Sequence, residues 1–116
     1  RELGARPSIA INPDIELDQV EACLDEIDMV LMMTVFPGFG GQSFIEDVLP
    51  KIERARDLVS RRGVPVLIEA DGGIKADNIS RVLRAGVEVI VSGSGIFKTI
   101  DYTGTIRKMK EAAQEL

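Results

Sequence analysis

One rhythm constrains this chain more than any other feature: short apolar runs alternate with stretches of helical periodicity, and three of the runs end in glycine clusters. The run at 7–11 stops at Asn12-Pro13, which suits a strand ending in a turn. Leu17, Val20, Leu24 and Ile27 then recur at helical spacing, predicting a helix with one apolar stripe. Residues 29–35 are continuously apolar, as strands of a parallel sheet are when both faces are covered, and the Pro37-Gly38 turn ends them. Ser43 and Glu46 have capping-box spacing. Pro50 fits the first turn of a longer helix with Ile52, Ala55, Leu58 and Val59 on one side, and a short helix is expected before it.

A third strand at 66–70 closes on Asp71-Gly72-Gly73, followed by a helix through Ile79, Val82 and Leu83 that ends before Gly86. A fourth strand at 87–91 closes on Ser92-Gly93-Ser94-Gly95. Ile106, Met109, Ala113 and Leu116 mark a C-terminal helix, with Asp101 or Thr103 as its cap. At the other end, Arg1-Glu2-Leu3-Gly4 reads as a last helical turn with a glycine cap, and the natural start is expected upstream.

Regular βα alternation calls for a parallel sheet with right-handed crossovers, either an open doubly wound sheet or part of a barrel. Periodicity does not choose between them. No linker or low-complexity stretch divides residues 1–116, so one domain is expected. Its 116 residues are roughly half of the about 250 typical of a (β/α)8 barrel.

Charge and composition narrow the function classes. The net charge is −5, and Arg54, Arg56, Arg61 and Arg62 share their helical stretch with Glu53 and Asp57, which argues against a nucleic-acid partner. No apolar run reaches the roughly 18 residues of a membrane span and no signal peptide is visible, so a cytoplasmic protein with no membrane partner is expected. The single cysteine, Cys23, forms no internal disulfide and reads as a small buried residue. Histidine is absent, so an acid/base or metal site must use carboxylates or groups from another chain.

The chemistry is expected at the glycine clusters. Ligands of α/β folds bind at the C-terminal ends of strands, where Gly38, Gly40 and Gly41, then Gly72 and Gly73, then Gly93 and Gly95 fall. Glycine lets backbone N–H groups approach a phosphate closely. Asp71 alone among the carboxylates stands between a strand end and a glycine pair; Glu69, two residues earlier, shares its face and reads as a hydrogen-bonded structural group. Asp-Gly-Gly is also a turn-forming sequence, so that motif by itself is weak.

The residues Met33-Thr-Val-Phe-Pro-Gly-Phe-Gly-Gly-Gln-Ser-Phe44, with Glu69-Ala-Asp-Gly-Gly-Ile74 and Val91-Ser-Gly-Ser-Gly-Ile-Phe97, resemble the ribulose-phosphate 3-epimerase family in order and spacing. Ala10-Ile-Asn-Pro13 resembles the end of that family's fifth barrel strand. The resemblance implies the C-terminal half, strands five to eight, of a (β/α)8 barrel of the ribulose-phosphate-binding type. It implies an isomerase of the pentose phosphate pathway that interconverts D-ribulose 5-phosphate and D-xylulose 5-phosphate. Asp71 matches the aspartate that is both acid/base group and ligand of a divalent metal cation. Gly38, Phe39, Gly40, Gly41, Gly72, Gly73, Gly93 and Ser94 match the substrate and phosphate loops, and Met33 a methionine near the reacting carbon.

The family's two metal-binding histidines and second catalytic aspartate belong to the first half of the barrel, which has no equivalent here. Phe36 stands where the family often has a polar residue, and Ala70 where Val is frequent. The expected partners are therefore the pentulose 5-phosphate and either an N-terminal half-barrel or a second copy of this chain. The isolated chain is expected to be inactive as an epimerase. The competing expectation is a phosphate-binding or self-associating half-barrel module without catalysis, with Met33, Val35 and Ile68 on the inward face of its sheet. Allulose-6-phosphate 3-epimerase is a related candidate whose loops match less well.

Overall fold

In the computed structural model, which describes residues 1–38 and 42–116, the apolar runs become four short strands. These are β1 (Ser8–Ile11), β2 (Met29–Met33), β3 (Leu67–Asp71) and β4 (Val89–Val91). They pair in parallel in the order β1-β2-β3-β4, so the sheet is laid down in sequence order. The helices are α1 (Asp18–Glu21), α2 (Leu49–Arg62), α3 (Ile79–Ala85), α4 (Ser94–Phe97) and α5 (Tyr102–Gln114). Short 3-10 turns at Leu24–Glu26 and Glu46–Val48 complete the connections.

Strand pleating sorts the sheet residues between two faces. Ile9, Ile11, Val30, Met32, Ile68 and Ala70 join Leu24, Ile52, Ala55, Leu58, Ile79, Val82 and Met109 of the helical layer in one cluster. Val30, Ile52, Ala70 and Val82 are fully buried in it. At roughly 1.5–3 kcal/mol for each fully buried large apolar side chain, this layer dominates stability. The opposite face carries Met29, Leu31, Met33, Leu67, Glu69, Asp71 and Val89, all half-buried, with Val91 exposed. Ile68, expected on the inward face, instead lies on the helix side, because its register partner is Val30.

Several local readings change in the structure. The first helix is one turn, broken at Cys23 (φ −120°, ψ 12°) before the 3-10 turn. Acidic Glu21, Asp25 and Glu26, with no basic residue in the last turn, oppose the dipole of a longer helix. The Ser43–Glu46 capping box does not form: α2 begins at Leu49 with no side-chain cap, and Glu46 pairs with Arg81 at 2.6 Å. Arg1 to Gly4 form a single turn, closed by the Gly4 N–H on the Arg1 carbonyl at 2.9 Å, with Gly4 at φ 86°. Cys23 is half-buried against the core rather than fully enclosed. The expected cap of α5 does form: the Asp101 carboxylate accepts from the Gly104 N–H at 3.0 Å.

Among the described residues no helix is long and apolar enough to cross a membrane. Among the described residues one cation is buried. Lys51, in the first turn of α2, is 8% exposed, and its ammonium donates to the carbonyls of Pro13 and Ile15 (2.7 Å to the latter) in the β1–α1 loop.

Candidate functional site

Because all four strands run the same way, their C-terminal ends share one edge. The register sets Met33, Asp71 and Val91 side by side across β2, β3 and β4. Gly72 and Gly73 follow Asp71 directly, and Gly93 and Ser94 follow Val91 by two and three positions. Gly38 lies in the connection leaving β2; Phe39, Gly40 and Gly41 lie outside the described residues. Met33, Asp71, Gly72, Gly73, Gly93 and Ser94 are thus brought to one edge of the sheet.

Hydrogen bonds lace the loops along this edge into one framework. Thr34, fully buried, donates its hydroxyl to the Gly72 carbonyl at 2.5 Å and its N–H to the Asp71 carbonyl at 3.0 Å. Ser92 donates its hydroxyl to the Ile74 carbonyl at 2.7 Å, tying the β4 loop to the β3 loop. Asn78, 8% exposed, donates to the Gly73 carbonyl at 3.0 Å and accepts from the Lys75 N–H at 2.8 Å. The sequence reading passed over these three residues. A threonine closing an otherwise apolar strand, and an asparagine five residues past Gly73, were the available signals.

Two glycines of the β3 loop are obligatory. Gly72 has φ 133°, and a Cβ there would fall 2.6 Å from Cγ2 of Val35 and 2.8 Å from its backbone N. Gly73 has φ 67°, and a Cβ would fall 2.8 Å from the Phe44 Cα and 2.9 Å from the Gln42 carbonyl oxygen. Both conformations lie where L side chains rarely go. At Gly93 the reason differs: φ is −95°, and no atom stands within 4 Å of where a Cβ would be. A side chain there would project into open space at the strand ends.

Asp71 is half-buried and its carboxylate makes no hydrogen bond or ion pair among the described residues. Glu69 is likewise half-buried and without a partner there, so the structural hydrogen bond expected for it is not made. Among the described residues no three His, Cys, Asp or Glu side chains gather closely enough to hold a metal ion. The described residues thus place one carboxylate, that of Asp71, at the end of β3. A concavity of about 720 Å³ beside Lys75, Ser94 and Lys108 does not include Asp71. Four strands make an open wall, whereas an enclosed mouth needs the strands of a whole barrel.

The family model for ribulose-phosphate 3 epimerase matches residues 1–97. The chain belongs to the ribulose-phosphate 3-epimerase family. It is 42% identical over 97% of its length to ribulose-phosphate 3-epimerase 2 of Cupriavidus necator, covering 50% of that protein. It is 44% identical over 97% of its length to ribulose-phosphate 3-epimerase of Synechocystis, covering 49% of it. The chain spans about half the length of the curated relatives it matches. In three dimensions it superposes on 3-hexulose-6-phosphate synthase from Salmonella typhimurium with a TM-score of 0.70 at 21% identity, covering 98% of this chain and 52% of that one. KGPDC from Streptococcus mutans gives 0.67 at 19% identity, covering 96% of this chain and 48% of that one. The fold is thus a partial (β/α)8 barrel, a parallel four-stranded sheet covered by helices.

Proposed function

We propose that this chain carries the phosphate-holding half of a ribulose-phosphate 3-epimerase site, with Asp71 as its one acid/base carboxylate. The observation that carries this reading is the Asp71 carboxylate, without a partner among the described residues, at the end of β3 beside Met33 and directly before two obligatory glycines. The substrate is a pentulose 5-phosphate. Its phosphate rests on the N–H groups of Gly72, Gly73, Gly93 and Ser94, together with the Gly38 to Gly41 segment, and its C3 lies over Met33 and Asp71.

The C3–H bond is acidified by the neighbouring ketone. Asp71 takes that proton, the bonding electrons pass into the enediolate, and a second acid on the opposite face returns a proton to C3 with inverted configuration. Asp71 would be one ligand of a divalent cation whose remaining ligands come from outside this chain, and such a cation would supply positive charge to the developing enediolate. Asp71 cannot supply both faces of C3, so a whole site needs groups from an N-terminal half-barrel. On this reading the isolated chain binds phosphate but does not turn over substrate, and the complete enzyme serves carbohydrate metabolism as an isomerase.

Amide chemical shifts during phosphate titration test the binding half. Gly93, Ser94, Gly72 and Gly73 are expected to move, and Gly93→Val to abolish the movement. Unmoved amides in the native chain would sink the phosphate reading. A coupled epimerase assay of the chain with added divalent metal tests the other half, and turnover near that of a whole family enzyme would overturn it.

A second reading, a self-associating half-barrel without catalysis, is favoured by the unpaired edges of β1 and β4 and by the apolar residues of the face opposite the helices.

A further inference from the structure

Lys51 breaks a local rule. It occupies the third position of α2, where a cation opposes the positive end of the helix dipole, and it is 8% exposed. Burial pushes its pKa down, against the opposing pull of the Glu16 and Asp14 carboxylates; Arg54 on its own helix adds to the lowering. Neither helix propensity nor core packing explains a charge kept there at this cost, and such local inconsistencies mark functional or strained sites. The compensation is its pair of acceptors, the carbonyls of Pro13 and Ile15 (2.7 Å to the latter), both in the connection from β1 to α1. That connection leaves the sheet at the same edge as Asp71. Lys51 itself sits where α2 begins, just past the connection that carries the glycines after β2.

We propose that Lys51 is a positioning residue for the substrate mouth: its ammonium clasps the β1–α1 loop to the first turn of α2 and so fixes the wall on that side. The loop has few polar ties of its own: among the described residues its backbone closes one turn, the Ile15 N–H on the Asn12 carbonyl at 3.1 Å, and while Ile15 and Leu17 pack against the core, Asn12, Asp14 and Glu16 are exposed. A lysine suits the task because its ammonium carries three donors and serves both carbonyls at once. The inference rests on the reading of this edge as a sugar-phosphate mouth, and it adds a division of labour. The β3 and β4 loops hold the phosphate, whereas the wall fixed by Lys51 orients the sugar.

The test compares the native chain with Lys51→Met and Lys51→Arg, using inorganic phosphate and D-ribulose 5-phosphate as separate probes followed by amide shifts. Inorganic phosphate is expected to bind all three equally. Ribulose 5-phosphate is expected to bind Lys51→Met several-fold more weakly and Lys51→Arg almost normally. Equal binding of ribulose 5-phosphate to all three overturns the proposal. If inorganic phosphate moves no amide in any chain, the mouth reading itself has failed, and hydrogen exchange decides the anchoring alone. Protection of the Ile15 amide should then fall by about tenfold in Lys51→Met while Val30 and Ile68 stay unchanged. Should Lys51→Met not fold, hydrogen-bond scalar couplings from Nζ of native Lys51 to the carbonyl carbons of Pro13 and Ile15 decide it, and their absence overturns the clasp.

Discussion

The two faces of β3 belong to one five-residue strand and do opposite work. Ile68 and Ala70, at 1% and 0% exposure, close against the helices; Leu67, Glu69 and Asp71, on the alternate positions, remain half-buried. The contrast shows how a barrel separates its tasks. The helix side holds the sheet together by apolar burial, and the other side keeps carboxylates whose ionised forms a packed core would not tolerate. Substitutions on the first face should therefore be read in stability, and those on the second in chemistry or association.

The largest expected effect lies on the chemical face. In a barrel completed by an N-terminal half, Asp71→Asn should lower turnover by about 10²- to 10⁴-fold, since an amide neither accepts the C3 proton nor binds a metal as a carboxylate does. Urea unfolding of the same variant should be almost unchanged. Full turnover would return Asp71 to the role of a turn residue. On the other face, Ile68→Ala should cost about 2–5 kcal/mol in unfolding free energy, and Leu67→Ala clearly less. Equal losses at the two neighbours would erase the distinction between the faces.

A smaller effect concerns association. The unpaired edges of β1 and β4 and the partly exposed apolar face should draw two copies together at micromolar concentration, and Val91→Lys, at an exposed position on β4, should shift sedimentation toward the monomer. A well-folded native chain sedimenting at 12.6 kDa would show that the half needs no partner. The smallest effect is a pH dependence at Lys51. With its folded pKa lowered, the unfolded chain holds more protons between that value and about 10.4, so stability from this group rises with pH through that window. The unfolding free energy of native protein relative to Lys51→Met should climb there; a fall would mean that the clasp raises the pKa instead.

The sequence made some of this legible and hid the rest for physical reasons. The strand positions and the glycine edge were readable because the strands of a parallel sheet advertise themselves as apolar runs, and only glycine tolerates the backbone of residues 72 and 73. The Asp101 cap was readable because its bond is local. What escaped was non-local. The Thr34–Gly72 bond spans 38 positions and the Lys51–Pro13 contact also 38, and no window on the sequence joins such residues. The Ser43–Glu46 pair misled for the complementary reason: the local pattern was present, but Glu46 found Arg81 across 35 positions instead. Ile68 was assigned to the wrong face because alternation fixes which residues share a side, not which side meets the helices.

The sheet's order has a consequence for how such a chain is made. Since β1, β2, β3 and β4 are neighbours in space in the order of synthesis, each strand emerging from the ribosome finds its partner already present, roughly 20 to 40 positions behind it. The ladders can form vectorially, without waiting for a distant segment, and the loop-closure cost of each step stays small. Only the seam that closes a barrel, joining its last strand to its first, must wait for the end of translation. A cut between strands opens the cylinder at just two ladders and leaves every remaining one intact, which gives a barrel natural lines of division along which a piece can be copied, exchanged or fused as a working unit.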